Sequence, residues 1–167
     1  WKGIDDLLKA AHLLRGTPQL KWAVIGGGHA ERHQKLAAEL HLDGIVHFTG
    51  HLDDPFPAMA ALDLFALLST AHEGVSQAML QAAYLEKPLL STRIGGLSEV
   101  CVDQETGLNV APFAPEEVAK AVLTLKGDLS LRKRLGQRAK ERVIERFTLL
   151  HTLDQMEMVY RSITIPI

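Results

Sequence analysis

The order of apolar and breaking segments in this 167-residue chain predicts an α/β fold: a doubly wound, mostly parallel sheet with extra helices at the carboxyl end. Three observations carry that prediction. Short apolar runs of four to seven residues alternate with longer stretches of helical spacing. Glycine or proline punctuates most of the junctions. The short runs are apolar almost throughout rather than alternately, as strands buried on both faces are.

The elements follow in order. Residues 4–14 place Ile4, Leu7, Leu8, Ala11 and Leu14 at helical spacing, and Gly16, Thr17 and Pro18 end the helix. Residues 20–25 form a strand that stops at Gly26-Gly27-Gly28. A helix over 29–42 carries Leu36, Ala37 and Leu40 on one face. A strand at 45–48 closes on Thr49-Gly50, a short helix spans 55–61, and a strand spans 62–68. After the stretch Ser69-Thr70-Ala71-His72-Glu73-Gly74 comes a helix over 76–85, then a strand at 88–91. Gly95-Gly96 opens a short helix through Val102, and 107–110 is the last strand. Three helices close the chain, at 115–126, 129–146 and 148–162. Pro115 followed by Glu116 and Glu117 suits a helix start, and Ser130 with Lys133 marks another. Strand–helix alternation with right-handed crossovers gives a Rossmann-like domain. No fixed-period repeat or low-complexity linker divides the chain, so residues 1–167 read as a single domain.

Composition narrows the function. The formal net charge is −2, with no block of like charges, which argues against a nucleic-acid partner. No apolar run approaches the roughly 18 residues of a membrane span. Cys101 is the sole cysteine, so it forms no internal disulfide; Val100 and Val102 beside it suggest a buried structural thiol. No signal peptide is visible, and the chain opens on Trp1-Lys2-Gly3 without methionine, so it reads as a fragment.

In such a sheet, ligands bind beyond the carboxyl ends of the strands. Three turns there carry unusual residues: Gly26-Gly27-Gly28-His29, His72-Glu73-Gly74 and Arg93-Ile94-Gly95-Gly96. The first lets backbone approach a ligand closely, but Glu31 stands where a dinucleotide fingerprint needs its third glycine, and there is no Gly-Lys-Ser/Thr phosphate loop. At the second, two readings stand open. In one, Glu73 accepts sugar hydroxyls, the helix start near Ser76 faces a diphosphate, and Gln81, eight residues after Glu73, reaches further hydroxyls. In the other, Ser76 is a helix cap, Glu73 a solvated charge and Gln81 a surface residue.

An ordered series is more specific than any one turn. Lys2-Gly3, Val24-Ile25-Gly26-Gly27-Gly28, Phe48-Thr49-Gly50, Ala61-Leu62-Asp63-Leu64-Phe65, Glu73-Gly74, Lys87-Pro88-Leu89-Leu90-Ser91-Thr92, Gly95-Gly96-Leu97-Ser98-Glu99 and Thr106-Gly107-Leu108 follow one another in order. The series resembles the carboxyl-terminal, donor-binding half of the group 1 retaining glycosyltransferases. These enzymes have the GT-B architecture of two Rossmann-like domains facing a cleft. The resemblance implies that a nucleotide-sugar, UDP- or GDP-linked, is the donor. It implies a saccharide or lipid-linked acceptor, held by an amino-terminal domain absent from this chain, without which the fragment is inactive. It also implies work in bacterial surface polysaccharide or glycolipid synthesis, on the cytoplasmic side, with a peripheral membrane contact as a lesser expectation. No cofactor and no bound metal are expected, the nucleotide-sugar being a substrate.

Residue roles come with the resemblance. Lys2 corresponds to the lysine that neutralises the donor diphosphate, and Gly26, Gly27 and Gly28 lie beside the nucleotide. His51 and Leu52 fall near the base. Glu73 corresponds to the first glutamate of an E-x7-E motif, close to the transferred sugar and the catalytic residue of the set. His72, Gly74, Val75, Ser76 and Gln77 line the phosphates and sugar. Gln81 replaces the second glutamate, which holds the ribose hydroxyls. A neutral amide can accept one hydroxyl but makes no charge-assisted pair, so the ribose is held more weakly by about 1–2 kcal/mol.

Three further features have plainer defaults. His29 and His33 are four apart with no third ligand evident, which fits a solvated helix face better than a metal site. Glu99 reads as a cap or helix anchor. Arg132, Lys133, Arg134, Arg138, Lys140, Arg142 and Arg146 make the helix after Leu129 basic around an apolar face of Leu135, Ala139, Val143 and Phe147. Its default is a solvated surface helix, with a membrane or partner contact the minority reading. A non-catalytic Rossmann-like binding module is the rival to the transferase, favoured by Gln81, and a dehydrogenase is a distant third.

Overall fold

The structure is a computed structural model that describes residues 1–28 and 30–163. His29, expected to open the second helix and paired with His33 above, lies outside the described residues. The elements alternate as expected: α1 (Ile4–Leu13), β1 (Trp22–Ile25), α2 (Ala30–Glu39), β2 (Val46–Gly50), α3 (Phe56–Ala60), β3 (Phe65–Leu67), α4 (Gln77–Tyr84), β4 (Leu89–Thr92), α5 (Leu97–Val100), β5 (Gly107–Val110), α6 (Pro115–Gly127), α7 (Leu129–Arg146) and α8 (Leu149–Ile163).

Every strand pair is parallel, in two ladders: β1 with β2, and β3-β4-β5 in that order. One core spans both ladders. Leu7, Leu8, Ala10 and Ala11 of α1 and its C-cap Leu14 pack with Trp22, Val46, Leu90, Leu108 and Val110, and with Val118, Val122 and Leu125 of α6. A second cluster covers the other face of the three-stranded ladder, joining Met79, Ala82 and Ala83 of α4 to Leu89, Leu97, Val100, Cys101, Ala139 and Val143. β4 is the middle strand and wholly buried. Its successive residues Leu89 and Leu90 enter opposite clusters, the period-2 consequence of a strand between two helical layers.

Several boundaries shift by a few residues, and two of the shifts have a local reason. The strand expected over 62–68 contracts to Phe65–Leu67, because Leu62 N–H donates to the Met59 carbonyl at 3.2 Å and prolongs the turn after α3. The last long helix but one is capped not by Ser130 but by Asp128, whose carboxylate accepts from Leu131 N–H at 2.8 Å. The basic side chains of α7 are largely committed to the fold. Arg132 donates to the carbonyls of Leu125 and Lys126, Arg134 to that of Gln104, and Arg142 to that of Glu99, while Lys140 pairs with Glu86. No helix among the described residues is long and apolar enough to cross a membrane.

Candidate functional site

The carboxyl edge of β3 is where the chain departs from regular structure. Thr70 N–H donates to the Trp1 carbonyl at 2.8 Å, so the segment ahead of α1 runs against the end of β3. Gly3, the N-cap of α1, has φ 73°, and a Cβ there would overlap the Leu68 carbonyl. Only glycine permits both the conformation and the approach. That approach delivers the neighbouring Lys2 to the site.

Lys2 Nζ lies 2.6 Å from Glu73 Oε1, joining residues 71 apart in sequence, and 4.0 Å from the Trp1 ring centroid. Glu73 is not the solvated charge of the plainer reading: its side chain is 6% exposed against 46% for Lys2. Its Oε1 also accepts from Ser69 Oγ at 2.5 Å. Ser69 is fully buried, and its carbonyl accepts from Thr92 Oγ1 at 2.6 Å. The adjoining Ser91 Oγ donates to the Leu67 carbonyl at 2.9 Å. Beneath Glu73, Gly95 and Gly96 approach the turn so closely that Gly96 N–H donates to the Glu73 carbonyl at 3.1 Å.

α4 starts at this turn. Ser76 is its N-cap, in extended conformation, with Oγ accepting from Met79 N–H at 3.4 Å. The capping role of the plainer reading is therefore realised, and the Ser76 hydroxyl keeps its proton and one lone pair for a ligand. Gly74, Val75 and Gln77 are exposed around the helix start. His72 is exposed with φ 54° and is not among the partners of Glu73. Gln81 is half-buried, one turn beyond Gln77 on the side of α4 away from Met79, Ala82 and Ala83.

The glycine turn belongs to the other ladder. Gly26 (φ 122°) and Gly28 (φ 105°) adopt conformations that other residues rarely take. Gly26 bridges Gly50, and its N–H donates to Thr49 Oγ1 at 3.3 Å, which sets Gly27 beside His51. His51 is exposed, 3.6 Å from Asp53, and Leu52 is half-buried. The expected residues thus lie in two clusters on strand carboxyl edges, one around Glu73 and one around Gly26. No hydrogen bond or ion pair among the described residues joins the two.

Hollows elsewhere do not compete for the role. One of about 320 Å³ lies along α8, between Thr152 and Tyr160; another of about 150 Å³ lies by Asp63, Lys87 and Arg132. Among the described residues no three His, Cys, Asp or Glu side chains are grouped to hold a metal, and His33 faces Asp5 at 3.4 Å.

Three residues of this edge were missed from sequence. Ser69 and Thr92 read as the polar ends of apolar runs, and nothing marked them as tied to Glu73. Asp6 was not singled out, yet it is 5% exposed and its Oδ2 accepts from Phe113 N–H at 2.9 Å, fixing the loop after β5. A carboxylate in the first turn of an otherwise buried helix face was the available signal.

Parallel strands alternating with helices, with open glycine turns at their carboxyl edges, define an α/β domain of the Rossmann-like kind. Residues 1–142 match the model of the family described as glycosyl transferases group 1, and the chain belongs to that family. It is 33% identical over 147 residues to the lipopolysaccharide core biosynthesis glycosyltransferase LpsE of Rhizobium meliloti, covering 88% of this chain and 42% of LpsE. It is 31% identical to the N-acetyl-alpha-D-glucosaminyl L-malate synthase of Bacillus anthracis, covering 97% and 42%. The chain therefore spans rather less than half the length of these relatives. Among solved structures, Anabaena HepE in complex with UDP-glucose superposes with a TM-score of 0.86 at 25% identity, covering 98% of this chain and 46% of that one. The carboxyl-terminal domain of a group 1 glycosyltransferase, LpcC of Francisella tularensis, gives 0.78 at 25% identity, covering 89% and 80%. The fold is that of the carboxyl-terminal domain of GT-B glycosyltransferases.

Proposed function

We propose that this chain binds a nucleoside diphosphate sugar, UDP- or GDP-linked, and serves as the donor half of a retaining glycosyltransferase. The observation that carries the reading is the Lys2–Glu73 pair beside the start of α4. A sugar diphosphate needs a cation and amide donors at its phosphates, and a hydroxyl acceptor one linkage away. Lys2, the backbone around Val75 to Gln77, and Glu73 supply these in that order. Stabilisation of the departing diphosphate by Lys2 and the α4 amides would lower the barrier as its charge develops. Gly26 to Gly28, with His51 and Leu52, would flank the nucleotide, and Gln81 would accept a ribose hydroxyl.

The acceptor, a saccharide or lipid-linked saccharide, would be held by an amino-terminal domain outside this chain, so residues 1–167 alone would not turn over. The relatives named for lipopolysaccharide and capsular polysaccharide biosynthesis support a role in surface polysaccharide or glycolipid synthesis; action on the cytoplasmic side of a membrane is part of the same proposal. Calorimetric titration of the chain with UDP and GDP tests the reading. Saturable binding of one of them is expected, and no binding of either at millimolar concentration overturns it.

Gln81 favours a second reading, a transferase half that has lost catalysis and kept a binding role. Gln81→Glu in the full-length protein separates the two. A sharp gain in transfer rate supports loss of function, whereas an unchanged or lower rate makes glutamine the working residue.

A further inference from the structure

We propose that Ser69 is a positioning residue that sets the aim of the Glu73 carboxylate, resting on the reading of Glu73 as the group facing the transferred sugar. Both hydrogen bonds to the Glu73 side chain fall on one oxygen. Ser69 Oγ and Lys2 Nζ each donate to Oε1, and neither reaches Oε2. A carboxylate held by one oxygen presents the other, so Oε2 is the atom left to accept from a ligand hydroxyl.

The two donors differ in how firmly they hold. Lys2 is a half-exposed side chain with a flexible stem, and a diphosphate would compete for its ammonium. Ser69 is fully buried and adds no long stem of its own. Its backbone is pinned from β4, where buried Thr92 donates through Oγ1 to the Ser69 carbonyl at 2.6 Å. Thr92 ends the middle strand of the three-stranded ladder. The chain of contacts therefore runs from the core of the sheet, through Thr92 and Ser69, to Glu73. When a donor draws Lys2 towards its phosphates, Ser69 keeps the carboxylate in place. Supporting groups that are themselves locked by packing hold reacting groups better than solvent-exposed ones do.

The test compares UDP-glucose with UDP by titration, because the ratio of the two affinities isolates the contacts to the sugar. Ser69→Ala is expected to shrink that ratio about three- to tenfold while UDP affinity stays within twofold, and Ser69→Thr, which keeps the hydroxyl, is expected to retain most of it. An unchanged ratio in Ser69→Ala, or equal weakening of both ligands, overturns the positioning role. Glu73→Gln separates this failure from that of the underlying reading. If Glu73→Gln shrinks the ratio and Ser69→Ala does not, Ser69 alone is excluded. If Glu73→Gln also leaves the ratio unchanged, or the unsubstituted chain binds neither ligand, the sugar-facing role of Glu73 falls, and the proposal falls with it.

Discussion

Gly95 lies so close to Glu73 that a Cβ at position 95 would overlap the Glu73 carbonyl oxygen, the same oxygen that accepts from Gly96 N–H at 3.1 Å. Gly95 also has φ 53°, a conformation that costs an alanine about 1 kcal/mol. The paired glycines after β4 therefore form the floor on which the Glu73 turn rests. Gly95→Ala must move one backbone or the other, and neither is a side-chain end that can swing aside. We expect a loss of about 2–4 kcal/mol of stability, read from urea denaturation, together with weaker UDP-glucose binding. A change below about 0.5 kcal/mol would mean that the turn yields freely and is not held from beneath.

Lys2 makes the opposite case, a residue whose removal should spare the fold. Its pair with Glu73 is half-exposed on the lysine side, and such pairs contribute about 0–1 kcal/mol. Lys2→Ala is expected to leave the denaturation midpoint nearly unchanged while lowering UDP affinity roughly tenfold, as loss of a charge-assisted phosphate contact does. The salt dependence of UDP binding should weaken with it, since one screened attraction is gone. Titrations at two ionic strengths check both parts. Unaltered UDP affinity would remove Lys2 from the diphosphate site.

Most of the architecture was legible because periodicity and breakers report directly on local structure. The alternation of elements, the buried strand β4 and the glycine turn after β1 follow from spacing, whereas β1 and β2 expose Ala23, His47 and Thr49 and are not buried on both faces as expected. The position of the Glu73 turn was equally visible, since an apolar run ending in His72-Glu73-Gly74 is hard to read any other way. What spacing could not reveal was tertiary. Nothing in the local sequence says that Lys2 meets Glu73 across 71 positions, or that Ser69 donates to Glu73 while Thr92 pins the Ser69 carbonyl. The Asp128 cap was missed because Ser130 offered an equally good local signal two residues later, and side-chain chemistry alone does not rank them. The shortened β3 was missed because an apolar residue such as Leu64 looks the same whether it lies in a strand or packs from a turn against the core.

Cys101 ties pH to stability. The thiol is buried, Sγ lies 3.7 Å from the Leu108 carbonyl, and its pKa is pushed up from 9.0 to about 12, by burial first and by nearby Asp103 second. In the unfolded chain the thiol loses its proton near pH 9, while the folded chain keeps it. Between pH 9 and 12 the unfolded state thus binds fewer protons, and stability falls as pH rises, by at most about 1.4 kcal/mol per pH unit from this group. Below pH 9 the thiol contributes no slope. Cys101→Ala should flatten the alkaline limb relative to the unsubstituted chain. The native thiol should also resist a disulfide reagent at pH 8 and react at once in denaturant, and rapid native labelling would contradict the burial.

Gly136 sets two local rules against each other. It sits inside α7, where helix propensity alone says that alanine should stabilise by about 0.5–1 kcal/mol. Packing says otherwise. Gly136 is buried against the turn that ends α4, and a Cβ would overlap the carbonyl of Glu86. That carbonyl is held where it is: Glu86 has φ 58°, its N–H donates to the Ala83 carbonyl at 2.9 Å, and its side chain pairs with Lys140 one turn along α7. Relief would require α7 to back away from α4, loosening Ala139 and Val143 from Met79, Ala82 and Ala83. Overpacking of this kind costs about 1–3 kcal/mol, enough to outweigh the propensity gain. Gly136→Ala is therefore expected to lower stability by about 1–2 kcal/mol in urea denaturation. Lys140→Ala, which removes an exposed ion pair and an ammonium contact with the Tyr84 ring at 5.8 Å, should change it by less than about 1 kcal/mol. If Gly136→Ala instead stabilises the chain, the separation of α7 from α4 is set by their other side chains, and the glycine does not govern how closely the helices approach.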